Sequence, residues 1–64
     1  MSSFVKRQGS PRVNDSAKVK KFGDIILIDK LRTEYGENLW VATIDYTEHI
    51  IVNESDLKEI GYFE

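Results

Sequence analysis

The sequence predicts a small all-β domain, and three observations carry that expectation. Short apolar runs rich in β-branched residues recur at Ile25-Ile26-Leu27-Ile28, at residues 39–44 and at Ile50-Ile51-Val52. Such residues pack well on a pleated surface and lose freedom in a helix. The segments between the runs are polar and carry turn residues, which is how strands are punctuated.

At 64 residues the chain is one domain at most. A domain of this size buries only about 60% of the surface its unfolded chain exposes, so packing leaves little margin. There is no cysteine, which removes disulfides and thiolate zinc sites as supports. No stretch approaches the roughly 20 apolar residues that cross a bilayer. Lys6 and Arg7 are not followed by an apolar segment, so residues 1–11 do not read as a signal peptide. A cytoplasmic protein without membrane contact is the expectation.

Charge is divided along the chain. Residues 1–21 hold Lys6, Arg7, Arg12, Lys18, Lys20 and Lys21 against Asp15 alone, whereas residues 22–64 hold three cations against ten acids. A basic front precedes an acidic body, and such asymmetry bears on partners.

Residues 1–16 read as a flexible basic arm and residues 17–64 as the folded domain. Serine, glycine, proline and asparagine interrupt the arm, and only Phe4, Val5 and Val13 are clearly apolar, too few to offset the entropy of ordering it. A short edge strand at Phe4-Val5 or Arg12-Val13 is the alternative. Gly23-Asp24 marks a turn, and a strand follows over residues 25–31. Residues 32–38 are polar, contain Gly36 and have the length of a hairpin loop. Residues 39–45 alternate, with Leu39, Val41 and Thr43 on one face and Trp40, Ala42 and Ile44 on the other. Both faces are largely apolar, as in a central strand. A turn at 45–48 leads to a third strand over His49-Ile50-Ile51-Val52. Asn53 is a good helix cap, and Glu54 and Asp56 suit the positive end of a helical turn near residues 54–58. Residues 58–63 are open to two readings, the helix continuing to Ile60 or a last short strand.

The order Gly23-Asp24-Ile25-Ile26-Leu27-Ile28, a polar loop, Leu39-Trp40-Val41-Ala42, a hydrophobic strand and Glu54-Ser55-Asp56-Leu57-Lys58-Glu59-Ile60 resembles an SH3-like barrel. The resemblance covers about residues 19–60 and implies about five short strands with one helical turn late in the chain. It does not extend to the proline-peptide groove of signalling SH3 domains. Leu39 stands where the groove tryptophan would be, Asn53 near the expected proline and Asp56 near the expected tyrosine.

Catalytic and metal chemistry find little to work with. His49 is the only histidine and has no cysteine companion. The serines lie mostly in the arm, where no base could be held within reach of them. Isolated Gly9 and Gly23 do not make a phosphate-cradling loop. No enzymatic activity, cofactor or metal is expected, and a fold by itself implies no function.

Two surfaces remain. Tyr35, Trp40 and Tyr46 with Glu34, Glu37 and Glu48 form the leading candidate, an acidic and aromatic loop face for a protein partner. The cations Lys6, Arg7, Arg12, Lys18, Lys20 and Lys21 form the second, a nucleic-acid-binding arm acting through counterion release. A third expectation is that Glu34, Glu37, Asp45 and Glu48 mimic DNA and occupy a DNA-binding protein. The arm could also dock on a neighbour's acidic body, so the oligomeric expectation is a monomer or a weak homo-oligomer.

Overall fold

In the computed structural model, which describes residues 3–64, the three apolar runs are all strands and three further segments join them. In chain order they are β1 (Phe4–Lys6), β2 (Ser16–Val19), β3 (Gly23–Arg32), β4 (Asn38–Thr43), β5 (His49–Asn53) and β6 (Lys58–Phe63). A 3-10 turn at Glu54–Asp56 separates β5 from β6. One antiparallel sheet contains all six strands in the order β1-β6-β2-β3-β4-β5.

The core is built by alternation. Ala17 and Val19 from β2, Ile25 and Leu27 from β3, Trp40 and Ala42 from β4, Val52 from β5 and Leu57 after the 3-10 turn are buried together. Ile50 and Ile60 pack at its edge. A single sheet can enclose a core drawn from four of its strands only by curling over it. Burying each large aliphatic side chain contributes about 1.5–3 kcal/mol, so a handful of residues stabilises the domain.

Two irregularities set which side chains face inward. Leu27 pairs with Ala42 but Asp29 pairs with Val41, so Ile28 is an extra, bulged residue on β3. A one-residue shift exchanges the faces of a strand. Because of it Lys30, not Asp29, stands opposite Trp40, and Lys30 Nζ lies 5.7 Å from the centre of the indole. On β6 the register with β2 changes between Gly61 and Lys58, where Glu59 adopts φ +50°.

The buried indole satisfies its N–H as well. Trp40 Nε1 donates to Glu54 Oε1 at 3.0 Å. Glu54 is held there because Asn53 caps the turn, accepting from Ser55 N at 3.1 Å. The helical turn expected near 54–58 is thus a 3-10 turn of three residues, and Leu57 already has extended backbone. Residues 58–63 take the strand alternative.

At the front of the chain the edge-strand alternative at Phe4-Val5 is the one observed. Phe4–Lys6 pairs with β6, so the described sheet has six strands where about five were expected. The boundary drawn at residue 17 falls inside β2, which begins at Ser16. Three interactions offset the entropy of ordering this polar segment. Arg7 N donates to Ile60 O at 2.9 Å. Phe4 meets Phe63 edge-on at 5.3 Å. Arg7 donates twice to Asp15, from Nε to Oδ2 at 2.9 Å and from Nη2 to Oδ1 at 2.7 Å, with its guanidinium 4.5 Å from the centre of the Tyr62 ring. Met1 and Ser2, part of the expected arm, lie outside the described residues.

Candidate functional site

Trp40 is 2% exposed and belongs to the core, not to a binding face. The expected alternation holds from Leu39 to Ala42, with Trp40 and Ala42 inward, and fails at the strand end, where Thr43 is buried and Ile44 is exposed; it also leaves open which face turns inward. Cross-strand neighbours decide that. Trp40 pairs with Lys30 on one side and Val52 on the other.

Tyr35 and Tyr46 are 89% and 74% exposed, as their loop positions suggested. They do not meet. Tyr35 and Glu34 lie in the β3–β4 loop, with Glu37, and Tyr46 and Glu48 lie in the β4–β5 loop. The six residues of β4 separate the two loops by about 20 Å at roughly 3.3 Å per residue. The same distance divides Glu34 and Glu37 from Asp45 and Glu48, so the expected DNA-mimic cluster is two pairs.

Each loop explains its own residues. Thr33 Oγ1 accepts from Glu37 N at 3.1 Å and closes the first loop around Gly36. In the second, buried Thr43 accepts from Tyr46 N at 2.8 Å and donates to Glu48 O at 2.7 Å. Asp45 Oδ1 accepts from the hydroxyl and the backbone N–H of Thr47. The Thr47 hydroxyl bond, followed by the Thr47 and Glu48 amides, holds the Asp45 carboxyl below the usual carboxylate range.

The expected cationic arm is also divided. Arg7 is committed to Asp15. Burial opposes ionisation of Asp15, which is 2% exposed, but the Arg7 guanidinium and the Arg12 N–H outweigh it and its carboxyl titrates low. Lys18 Nζ sits 3.2 Å from Glu59 Oε2 and 3.9 Å from Asp24 Oδ1, and the hydrogen bond to Glu59 raises its pKa. Lys20 and Lys21, on the exposed β2–β3 turn, form no ion pair among the described residues.

Those two lysines line an open groove of about 680 Å³. One wall is the β2–β3 turn, with Lys20, Lys21 and Phe22; the other is β5 and the 3-10 turn. Lys58, also without an ion pair among the described residues, adds a third cation and Asp56 the one acid. Ile51, 62% exposed, lies on the β5 side. β5 pairs with β4 alone, so it is an edge of the sheet with backbone groups free to pair.

Phe22, Ile51 and Lys58, which line this groove, do not stand out in the sequence. One signal existed: in three successive apolar residues of a strand, the middle one must face away from its neighbours. Ile50 and Val52 turn inward, which leaves Ile51 out. What no pattern shows is that the β2–β3 turn faces β5 across the curl of the sheet.

A second hollow of about 460 Å³ lies over β1, β2, β3 and β6, between Phe4, Phe63 and Ile26, with Lys18, Asp24 and Glu59 on its rim. No group of metal-binding side chains occurs among the described residues, and no helix there is long and apolar enough to cross a membrane. Comparison of the chain with protein-family models, curated proteins and solved structures finds no match.

Proposed function

We propose that this chain is a non-enzymatic binding module, an adaptor or accessory protein, that docks a partner protein in the groove between β5 and the β2–β3 turn. The observation that carries the reading is the meeting, in one concavity, of a free sheet edge, two exposed apolar side chains and three unpaired lysines. The architecture suits such a role. The order β6-β2-β3-β4-β5, with a 3-10 turn before the closing strand, supports an SH3-like barrel in which the loop between the first two barrel strands has shrunk to Lys20-Lys21-Phe22. The site moves from the Tyr35–Tyr46 loops to the groove because an interface needs a contiguous patch with an apolar centre.

A displayed library of random peptides tests the reading. Selection on the immobilised chain should enrich sequences that bind wild type and fail on Ile51→Asp. Enriched peptides indifferent to Ile51→Asp would put the site elsewhere, and no enrichment would remove peptide docking altogether.

A second reading, single-stranded nucleic acid in the same groove, draws on Phe22 beside Lys20 and Lys21. Stacking and phosphate contacts use that combination. It predicts binding of a labelled oligonucleotide that weakens steeply with salt.

A further inference from the structure

We propose that the occupant of the groove is an acidic, extended segment of a partner protein, which adds to the free edge of β5 as a further strand. The inference rests on the binding-module reading above and gives its chemistry.

The two edges of the sheet differ. β1 has three residues and ends on Lys6, a short edge with a charge of the kind that discourages pairing. β5 has five residues, His49-Ile50-Ile51-Val52-Asn53, with no lysine, no proline and a regular register against β4 throughout. Its main chain is left open along one side, and Ile51 lies exposed on it. Strand addition draws affinity from main-chain hydrogen bonds and selectivity from the side-chain positions alongside them.

Charge selects among occupants. Lys20, Lys21 and Lys58 line the groove against the single carboxylate of Asp56. The first two stand across from β5, where the side chains of an added strand would arrive. Glutamates or aspartates there would gain partners, and lysines would be repelled. The same three cations disfavour a second copy of this chain, because edge-to-edge pairing through β5 would bring two basic grooves together. A nucleic acid would leave the strand edge without matching donors and acceptors and would find one aromatic ring, Phe22, with Lys21 Nζ already 5.5 Å from its centre.

The test uses the full chain, ¹⁵N-labelled, and two synthetic probes of alternating sequence, a blocked Glu-Val peptide and its Lys-Val counterpart. Saturating Glu-Val peptide should slow hydrogen exchange at the outward-facing β5 amides by about tenfold or more, as new hydrogen bonds protect them. Binding should weaken from low to physiological salt as the charges are screened. The double variant Lys20→Glu, Lys21→Glu should lose affinity about tenfold (about 1.4 kcal/mol) while keeping its buried Trp40 fluorescence, which shows that it still folds. The Lys-Val probe should not bind.

Three results would overturn the proposal, and they separate its failure from that of the underlying reading. If library-selected peptides bind the groove but Glu-Val does not protect β5, the module stands and the occupant's chemistry is wrong. If neither probe nor any selected peptide binds, both fall. If a thymidine oligonucleotide shifts the same resonances and Glu-Val does not, the groove serves nucleic acid.

Discussion

Trp40 takes its place in the molecule from its cross-strand neighbours. Its alternation partners were legible, but an indole flanked by acidic loops reads equally as surface or core until its cross-strand neighbours are known. Lys30 above it, Val52 beside it and Glu54 on its N–H make it core. As the only tryptophan it reports on that directly. Its emission should be blue-shifted and poorly quenched by acrylamide, and strong quenching in the folded chain would contradict the assignment. Tyr46 makes the opposite case. It is exposed and holds φ +67°, a left-handed conformation that burdens an L-residue by about 1–2 kcal/mol. Asparagine tolerates this region better, so Tyr46→Asn should raise the Tm by a few degrees, read by calorimetry.

Asp15 carries a pH dependence at the same scale. Its folded pKa is depressed, so its contribution is fully present above the ordinary aspartate range and is lost as pH falls through the lower folded value. Thermal melts should hold steady from neutral pH to about pH 5 and then decline below about pH 4. Asp15→Asn should melt lower at neutral pH, by on the order of 10 °C given the loss of one partner of a buried pair, and should show a shallower acid limb. Equal acid limbs in the two proteins would remove Asp15 from the account.

Among the elements, β1 was legible only as an alternative to a flexible arm. Three residues in a segment rich in serine and glycine carry almost no strand signal, and what holds them is non-local. Arg7 reaches Asp15 and Tyr62, and Phe4 packs over β6. Gly61 makes that approach possible. A Cβ at this position would collide with the Val5 carbonyl oxygen and stand 2.5 Å from Phe4 Cζ. Gly61→Ala should therefore detach β1 while leaving the core folded. Hydrogen exchange would show lost protection at the Arg7 amide, which bonds Ile60 O, with Trp40 unchanged. Retained protection at Arg7 would mean that β1 docks without that close contact. The central strands were legible because their apolar pattern is local; their ends were less so. β4 stops at Thr43, not residue 45, because the Thr43 hydroxyl bonds into the following loop.

For the whole molecule, the all-β class could be read from the spacing of apolar runs, whereas the groove could not. Closeness in sequence put Tyr35, Trp40 and Tyr46 together, and the pleat and length of β4 took them apart. The groove arises from the curl that brings residues 20–22 across from residues 49–56, a juxtaposition of segments about 30 positions distant. Neither segment looks functional alone. Two lysines beside a phenylalanine read as a solvated turn, and a run of isoleucine and valine reads as core. Net charge says as little about where the charges lie. Lys18 with Asp24 and Glu59 and Lys30 with Glu54 form local pairs, and three of the lysines without an ion pair among the described residues, Lys20, Lys21 and Lys58, line the groove.

What is proposed for the groove turns on where a partner binds. The most direct measurement is an amide chemical-shift map of the ¹⁵N-labelled chain, titrated with a peptide selected from the displayed library. The predicted result is a contiguous set of shifts at residues 20–22, 49–53 and 55–58. Shifts confined to the loops at 33–37 and 44–48, with residues 49–53 unmoved, would contradict it and return the site to the exposed tyrosines.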